Sequence, residues 1–441
     1  MTETADVIVI GLGAMGAAAL HQLARRGARV IGIDRFAPPH DSGSSHGETR
    51  ITRQAIGEGE IYVPLVLRSH EIWRELEAET GEQLLLECGF VAIDSSGGQA
   101  VMHGKNGFAE RTERAAERFG IAHEVLSPDE LMHRFPGFTL RGDERVYYEP
   151  GGGLVYPERC IAAQLKRATA LGARLQLNEA VQAIVPVSGG VRVTTSRGAY
   201  DAGHVVVAAG GWTPALIGSP LRRLQLLRQV LHWFVPDRPD HYEAGRFPTF
   251  IWAHGVAPED SFYGFPIAPG ATPGVKLATE QFSTEMGAPH DLDRTVTAAE
   301  VEAMHVDHAD GRLVGLSRSA LRSAACFYTN APDGDFAIDH RPDSDRILVV
   351  SACSGHGFKH SAGIGEHVAR VLDGEDSLRP AFALDRPALE PFPAGWNHPA
   401  GQERLSTQLL ERFPSEKPVP TFSGSAPEPF RVRERDKPVS S

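Results

Sequence analysis

Residues 6–34, DVIVIGLGAMGAAALHQLARRGARVIGID, decide the fold. Val7, Ile8, Val9 and Ile10 form an unbroken apolar run that ends at glycine, the pattern of a strand buried on both faces. Gly11-x-Gly13-x-x-Gly16 follows at once. In that spacing the first glycine permits a tight turn. The second lets backbone approach a pyrophosphate, and the third lets the helix pack closely on the strand. A helix is expected from about Ala14, with Met15, Ala18, Ala19 and Leu23 at helical spacing and Gly27 as its stop. Residues 30–33 read as a second strand. Asp34 closes it with a carboxylate that can accept hydrogen bonds from ribose hydroxyls. The helix N-terminus supplies free N–H groups and positive partial charge for phosphates. A bare GxGxxG is weak evidence, but strand, turn, helix, strand and acid in succession predict a dinucleotide site.

Outward from this unit, residues 35–59 are rich in Gly, Ser and His without hydrophobic period, and read as a loop beside the cofactor. Residues 62–79 read as a helix, with Pro64 in its first turn, a Leu67/Ile72/Trp73/Leu76 stripe and Gly81 as stop. Residues 84–93 suggest two short strands broken at Gly89. Ser127 with Pro128, and Thr297 with Glu300, mark helix starts, the second for a helix over 298–304 that 305–313 can continue. Residues 157–171 read as a helix, and 173–177, 181–185, 191–195 and 204–209 as strands. From 221 to 277 the chain is strand-rich and aromatic, the pattern of an antiparallel sheet over the cofactor. Residues 346–352 form a buried-type strand that turns through SGHGFK into a helix at 361–372, a second anion-stabilising helix start. A last helix is expected at 401–413, and disorder at 414–441.

The chain has 441 residues, enough for two domains, and an ordinary globular balance of 41% hydrophobic and 23% charged residues. A net charge of −12 argues against nucleic acid or an anionic membrane as partner. No apolar run reaches transmembrane length, and the first strand begins too early for a signal peptide, so a cytoplasmic protein is expected. Four dispersed cysteines, with no C-x-x-C, predict free thiols rather than a disulfide framework or zinc site. No metal site is expected; His305, Asp307 and His308 read as a solvated helix face.

Four stretches carry a family resemblance: the Gly11/Gly13/Gly16 motif with Asp34, SSHGETRITR with GEGEIYVPLVLRSHEIW, CFYTNAPDGDF, and SGHGFKH. Together they resemble the monomeric sarcosine oxidase and N-methyltryptophan oxidase family, flavoprotein amine oxidases related to glycine oxidase and D-amino-acid oxidase. The resemblance runs from about residue 6 to 373. It implies an α/β fold: a discontinuous FAD-binding Rossmann-like domain (1–82, 145–220 and 322–389) plus an antiparallel-sheet α+β substrate domain (83–144 and 221–321), with 390–441 as an extension. It implies FAD held by Gly11, Gly13, Met15, Gly16, Asp34, Arg35, Ser42 and Thr49. Ala209, Gly210 and Trp212 would meet its adenosine half, and Gly355, Gly357, Phe358 and Lys359 its ring. Cys326 matches the cysteine that bonds the flavin covalently. Arg53 and Lys359 match the cations for a substrate carboxylate, a role suited to an arginine fork and a point charge.

By the same resemblance, His46, Arg50 and Tyr328 flank the reacting centre, Tyr263 and Gly355 line the substrate pocket, and Lys276 activates oxygen. The family commonly has Lys-x-x-x-His where this chain has Lys276-x-x-x-Glu280. Glu280 is either an ion-pair partner of Lys276 or a substrate residue favouring a cationic amine. With Trp233, Phe262 and Tyr263 nearby in sequence, a substrate larger than sarcosine is expected. The implied activity is oxidation of a secondary or N-methylated amino acid by a monomer, with O₂ reduced to H₂O₂. The alternatives are an amine dehydrogenase with another acceptor, an NAD-linked dehydrogenase, and a redox-inactive FAD-binding subunit.

Overall fold

The computed structural model describes residues 3–102, 105–218 and 221–389; the helix expected at 401–413 and the 390–441 extension lie outside them. The opening motif folds as expected. Strand Glu3–Ile10 leads through Gly11 into helix Ala14–Arg25, then strand Val30–Ile33. Gly11 has φ +83, and a Cβ there would lie 2.5 Å from Ala208 O. A Cβ on Gly16 would lie 1.7 Å from Gly11 O, so the helix rests on the turn itself.

These strands sit inside an eight-stranded sheet. Arg174–Gln176, Val30–Ile33, Glu3–Ile10 and Ala199–Val207 pair in parallel order. Strand Ala199–Val207 then forks. Its first half pairs antiparallel with Gly190–Thr195, and its second half pairs parallel with Ser344–Ser351. Alternate residues of the first strand serve opposite faces. Val7 and Val9 pack with Leu20, Leu23, Ile364 and Val368, whereas Ile8 and Ile10 pack with Val191, Val205 and Ile347. That is why the run had to be apolar at every position. Helices Val63–Thr80, Pro157–Ala170 and Ser361–Leu372 cover the first face.

A nine-stranded sheet forms the second layer. Its order is Glu285–Met286, Gln225–Pro236, Val275–Ala278, Ser261–Phe265, Thr249–Ala253, Phe90–Asp94, Arg145–Glu149 and Glu124–Leu126, with Leu316–Asn330 on the other edge of Gln225–Pro236. It is antiparallel except where Thr249–Ala253 runs parallel to Phe90–Asp94. Phe138, Phe234, Phe247, Phe250, Trp252 and Phe262 make its core. A small sheet of Arg50–Thr52, Gly153–Val155 and Leu85–Glu87 lies between the large ones in the chain's path.

The boundary expected at 145 parts strand Arg145–Glu149 from its partner in the nine-stranded sheet, and the one at 322 falls inside a strand of that sheet. Arg145–Glu149 pairs with Phe90–Asp94, and Leu316–Asn330 is continuous through 322. The helix at 298 does not run to 313. It widens into a π-turn over Met304–Ala309 and stops. Its histidines are not a solvated face. His305 is buried with Nε2 at 3.1 Å from Leu316 O, and His308 Nδ1 lies 3.0 Å from His254 Nε2. Among the described residues no group of three or more His, Cys, Asp or Glu is placed to hold a metal.

Candidate active site

Two cavities meet below the nine-stranded sheet. The larger, about 330 Å³, runs along the C-terminal ends of the parallel strands, where open α/β sheets bind their ligands. Gly11, Gly13, Met15, Asp34 and Arg35 line one end. Ala209, Gly210 and Trp212 line its flank, and Gly355, Gly357 and Phe358 its other end. The smaller, about 80 Å³, is bounded by Arg53, Glu58, Tyr263, Glu280 and Lys359. Arg50, Tyr328, Gly355 and Phe358 belong to both walls and mark the junction.

The charges of the small cavity are already organised. Arg53 is buried and donates from Nη2 to both oxygens of Glu58 at 2.7 Å, and from Nη1 to Ala55 O at 2.9 Å. Its guanidinium lies over Phe90 and Phe108. Lys359 Nζ donates to His356 O at 2.6 Å and lies 3.8 Å from Glu58. Burial lowers the Lys359 proton affinity to about 8, against the pull of Glu58 and with the push of Arg53. Glu280 sits at the junction: a Cβ on Gly355 would come within 2.8 Å of Glu280 Oε1 and 3.1 Å of the Tyr328 ring. The Tyr263 and Tyr328 hydroxyls are 3.2 Å apart, and burial pushes both phenols above their ordinary range.

Behind the junction lies the turn 44–50. Arg50 donates to Ser44 O, His46 O and Thr49 O. Lys276 Nζ donates to Gly47 O at 2.9 Å and Thr49 O at 2.6 Å, and faces the Phe265 ring at 3.9 Å. Burial, then Arg50, drives its proton affinity well below the ordinary lysine value. The lysine thus directs two of its donors to the turn. Glu280 bears on Lys359, Tyr263 and Tyr328. Glu280 is also one of the residues that line the small cavity.

A family model for FAD dependent oxidoreductases matches residues 6–371. The chain belongs to the FAD dependent oxidoreductase family. Within it, the chain is 38% identical to the monomeric sarcosine oxidase of Streptomyces avermitilis over 403 residues, covering 89% of this chain and 100% of that one. It is 34% identical to the N-methyl-L-tryptophan oxidase of Yersinia pestis over 396 residues, covering 86% and 99%. In fold it is similar to NikD, an unusual amino acid oxidase essential for nikkomycin biosynthesis, with TM-score 0.74 at 24% identity over 90% of this chain and 100% of that chain.

The large cavity fits the family's cofactor. The N-terminus of helix Ala14–Arg25 carries no side-chain cap, and a Cβ on Gly13 would meet nothing nearer than Ser45 Oγ at 3.9 Å, so phosphates can approach the helix dipole. Among the described residues, Trp212 Nε1 and Thr329 Oγ1 are buried on its wall without a hydrogen-bond partner. The Asp34 carboxylate lines the cavity while accepting from Leu12 N at 2.7 Å and Phe36 N at 2.8 Å.

Not every expected residue reaches a cavity wall. Gly16 acts through packing, as above. Ser42, His46, Thr49, Lys276 and Cys326 line neither cavity. His46 is buried, which lowers its proton affinity to about 4, and it contributes its carbonyl to Arg50. Cys326 is buried against Leu231, Trp233 and Ala278, and burial pushes its thiol up. Among the residues that join the site without having been singled out in the sequence are Glu58 and Cys353. Glu58 was signalled by an acid five residues after Arg53 in a glycine-flanked turn. Cys353 lines the large cavity just before SGHGFK, where nothing in the sequence marks a lone cysteine.

Proposed function

We propose that the protein is an FAD-dependent oxidase of a small secondary or N-methylated amino acid. The observation that carries this reading is the junction: a large cavity shares Arg50, Tyr328, Gly355 and Phe358 with a small cavity lined by Arg53, Lys359 and Glu280. FAD, when bound, supplies the hydride acceptor and passes its electrons to O₂, giving H₂O₂. Gly11, Gly13 and the helix start would hold its pyrophosphate, Trp212 and Arg35 its adenosine half, and Gly355 to Phe358 its ring; Cys326 would be its covalent anchor.

Arg53 and Lys359 bind the substrate carboxylate, for which Glu58 must yield. Glu280, at the junction, faces the amine and takes up its proton, freeing the nitrogen lone pair before hydride leaves the adjoining carbon. The imine so formed is hydrolysed by water. Binding at both ends places that carbon at the junction, and fixed placement is a large part of such catalysis. The small cavity supports a smaller substrate than the sequence led us to expect. Phe262 and Tyr263 line it, but Trp233 lies behind, over Lys276. About 80 Å³ holds roughly five to eight water-sized sites, which matches a molecule of sarcosine's size.

One observation favours a dehydrogenase as the second reading: Lys276 lines neither cavity. A single set of experiments separates them. Sarcosine added under nitrogen should bleach the flavin absorbance, and air should restore it with one peroxide per substrate. Acid-precipitated protein should stay yellow, and Cys326→Ser should release its flavin. No bleaching with any secondary amino acid would overturn the proposal; bleaching without reoxidation by air would favour the dehydrogenase.

A further inference from the structure

The Gly47–Glu48–Thr49 turn has a back as well as a front. Its carbonyls hold Lys276 and Arg50. Its N–H groups are held by Glu158, in the first turn of helix Pro157–Ala170, whose Oε1 accepts from Gly47 N at 2.8 Å and Glu48 N at 3.0 Å. Glu48 has φ +69, a left-handed conformation that costs a non-glycine residue free energy unless its surroundings impose it. Its carboxylate accepts from Thr272 N at 3.0 Å and Thr272 Oγ1 at 2.7 Å, and pairs with Arg322. Arg322 lies over the Trp233 ring at 4.8 Å, and the same ring is 5.7 Å from Lys276 Nζ. Neither Glu48 nor Glu158 lines either of the two cavities described above.

The charges around Lys276 come from several elements. Arg50 opposes its charge, and Glu158, Glu48 and Cys326 favour it; His46 lies close enough to feel it. The Gly47–Glu48 peptide group lies between Glu158 and the lysine, with Glu48 N–H toward Glu158 and Gly47 C=O toward Nζ. Polarised chains of this kind transmit charge better than separated groups.

We propose that Glu158 and Glu48 are positioning residues for Lys276, clamping the 47–49 turn from behind and supplying through it the negative charge against which the buried ammonium is held. The inference rests on the reading that Lys276 serves reoxidation by O₂, because a fixed cation stabilises the charge that develops there.

The test uses the flavin-loaded full chain and four variants. Glu158→Gln keeps an oxygen for both N–H groups and removes the charge; Glu158→Ala removes both. Glu48→Gln is the independent second charge variant, and Lys276→Met is the reference. Proton uptake by Lys276 is followed by ¹³C NMR of protein labelled at lysine Cε, the resonance being the one missing from Lys276→Met. Stopped-flow absorbance separates anaerobic reduction by sarcosine from reoxidation by O₂. In Glu158→Gln and Glu48→Gln the Lys276 midpoint should fall by about one pH unit. Reoxidation at neutral pH should slow by up to about tenfold, with reduction within about twofold of wild type. Wild-type midpoints in both glutamine variants overturn the proposal, whatever Glu158→Ala does, because the clamp is then hydrogen bonding without charge. If Lys276→Met reoxidises at the wild-type rate, the oxygen role of Lys276 is refuted, and the NMR midpoints alone decide the role of the two glutamates.

Discussion

Glu280 and Lys359 both line the small cavity, and each makes a separate demand on the ligand. Glu280→Gln keeps shape and removes charge. Loss of a desolvated charge partner costs about 2–5 kcal/mol, so the variant should bind amine-bearing substrates at least ~30-fold more weakly. An amine-free carboxylate inhibitor should bind it as well as it binds wild type; titrations of flavin absorbance with both ligands check this, and parallel losses would remove Glu280 from the amine. Lys359 sets a pH limit. Its proton affinity lies at about 8, and a carboxylate pairs with the protonated form. Affinity for the same inhibitor should therefore be full below pH 8 and fall toward tenfold per pH unit above it. Lys359→Gln should remove that limb, and a flat profile from pH 7 to 10 in wild type would show that Lys359 does not hold the anion. At this scale the sequence was a partial guide. The types Arg53, Lys359 and Tyr328 could be read from their motifs. Whether Glu280 met Lys276 or the pocket could not, because the answer turns on where strand Val275–Ala278 ends and which way the chain then bends.

Among the elements, those with local causes were legible. The first strand, the glycine turn and helix Ala14–Arg25 follow from periodicity and φ requirements within thirty residues, and the capping boxes at Ser127/Glu130 and Thr297/Glu300 from side chains three apart. The helix expected to reach 313 stopped at Ala309 because His305 is drawn inward to Leu316 O, a tertiary contact that no local pattern announces. Strands were legible as strands, but their partners were not. Arg145–Glu149 and Leu316–Asn330 joined the nine-stranded sheet through pairings with segments some 55 and 90 residues away, as their registers show. Gly16 tests the local logic. A methyl group there meets Gly11 O, which is backbone and cannot swing aside. Overpacking costs about 1–3 kcal/mol where side chains can adjust, and the upper end applies here. Gly16→Ala should lower the urea midpoint of the apoprotein and weaken FAD retention. A variant equal to wild type in both would mean that the helix can lift off the turn.

For the molecule as a whole, the large cavity draws its walls from residues near 11, 34, 50, 209, 328 and 355, so no contiguous piece of chain contains it. That explains why the cofactor could be anticipated from one motif while the shape of the site could not. The forked strand Ala199–Val207 has a consequence in time as well as in space. Its second half stays an open edge until Ser344–Ser351 arrives to pair with it, and Gly355 to Phe358 follow directly behind. On a ribosome adding about 5–20 residues per second, the first strand waits on the order of 20 to 70 seconds for the strand that completes its sheet. The cofactor cannot be gripped by a nascent chain; loading belongs to the last moments of synthesis or to the released protein. Until then the β-rich middle of the chain is the part that must stay out of trouble, and chaperone capture should concentrate on ribosome-bound chains between those two events.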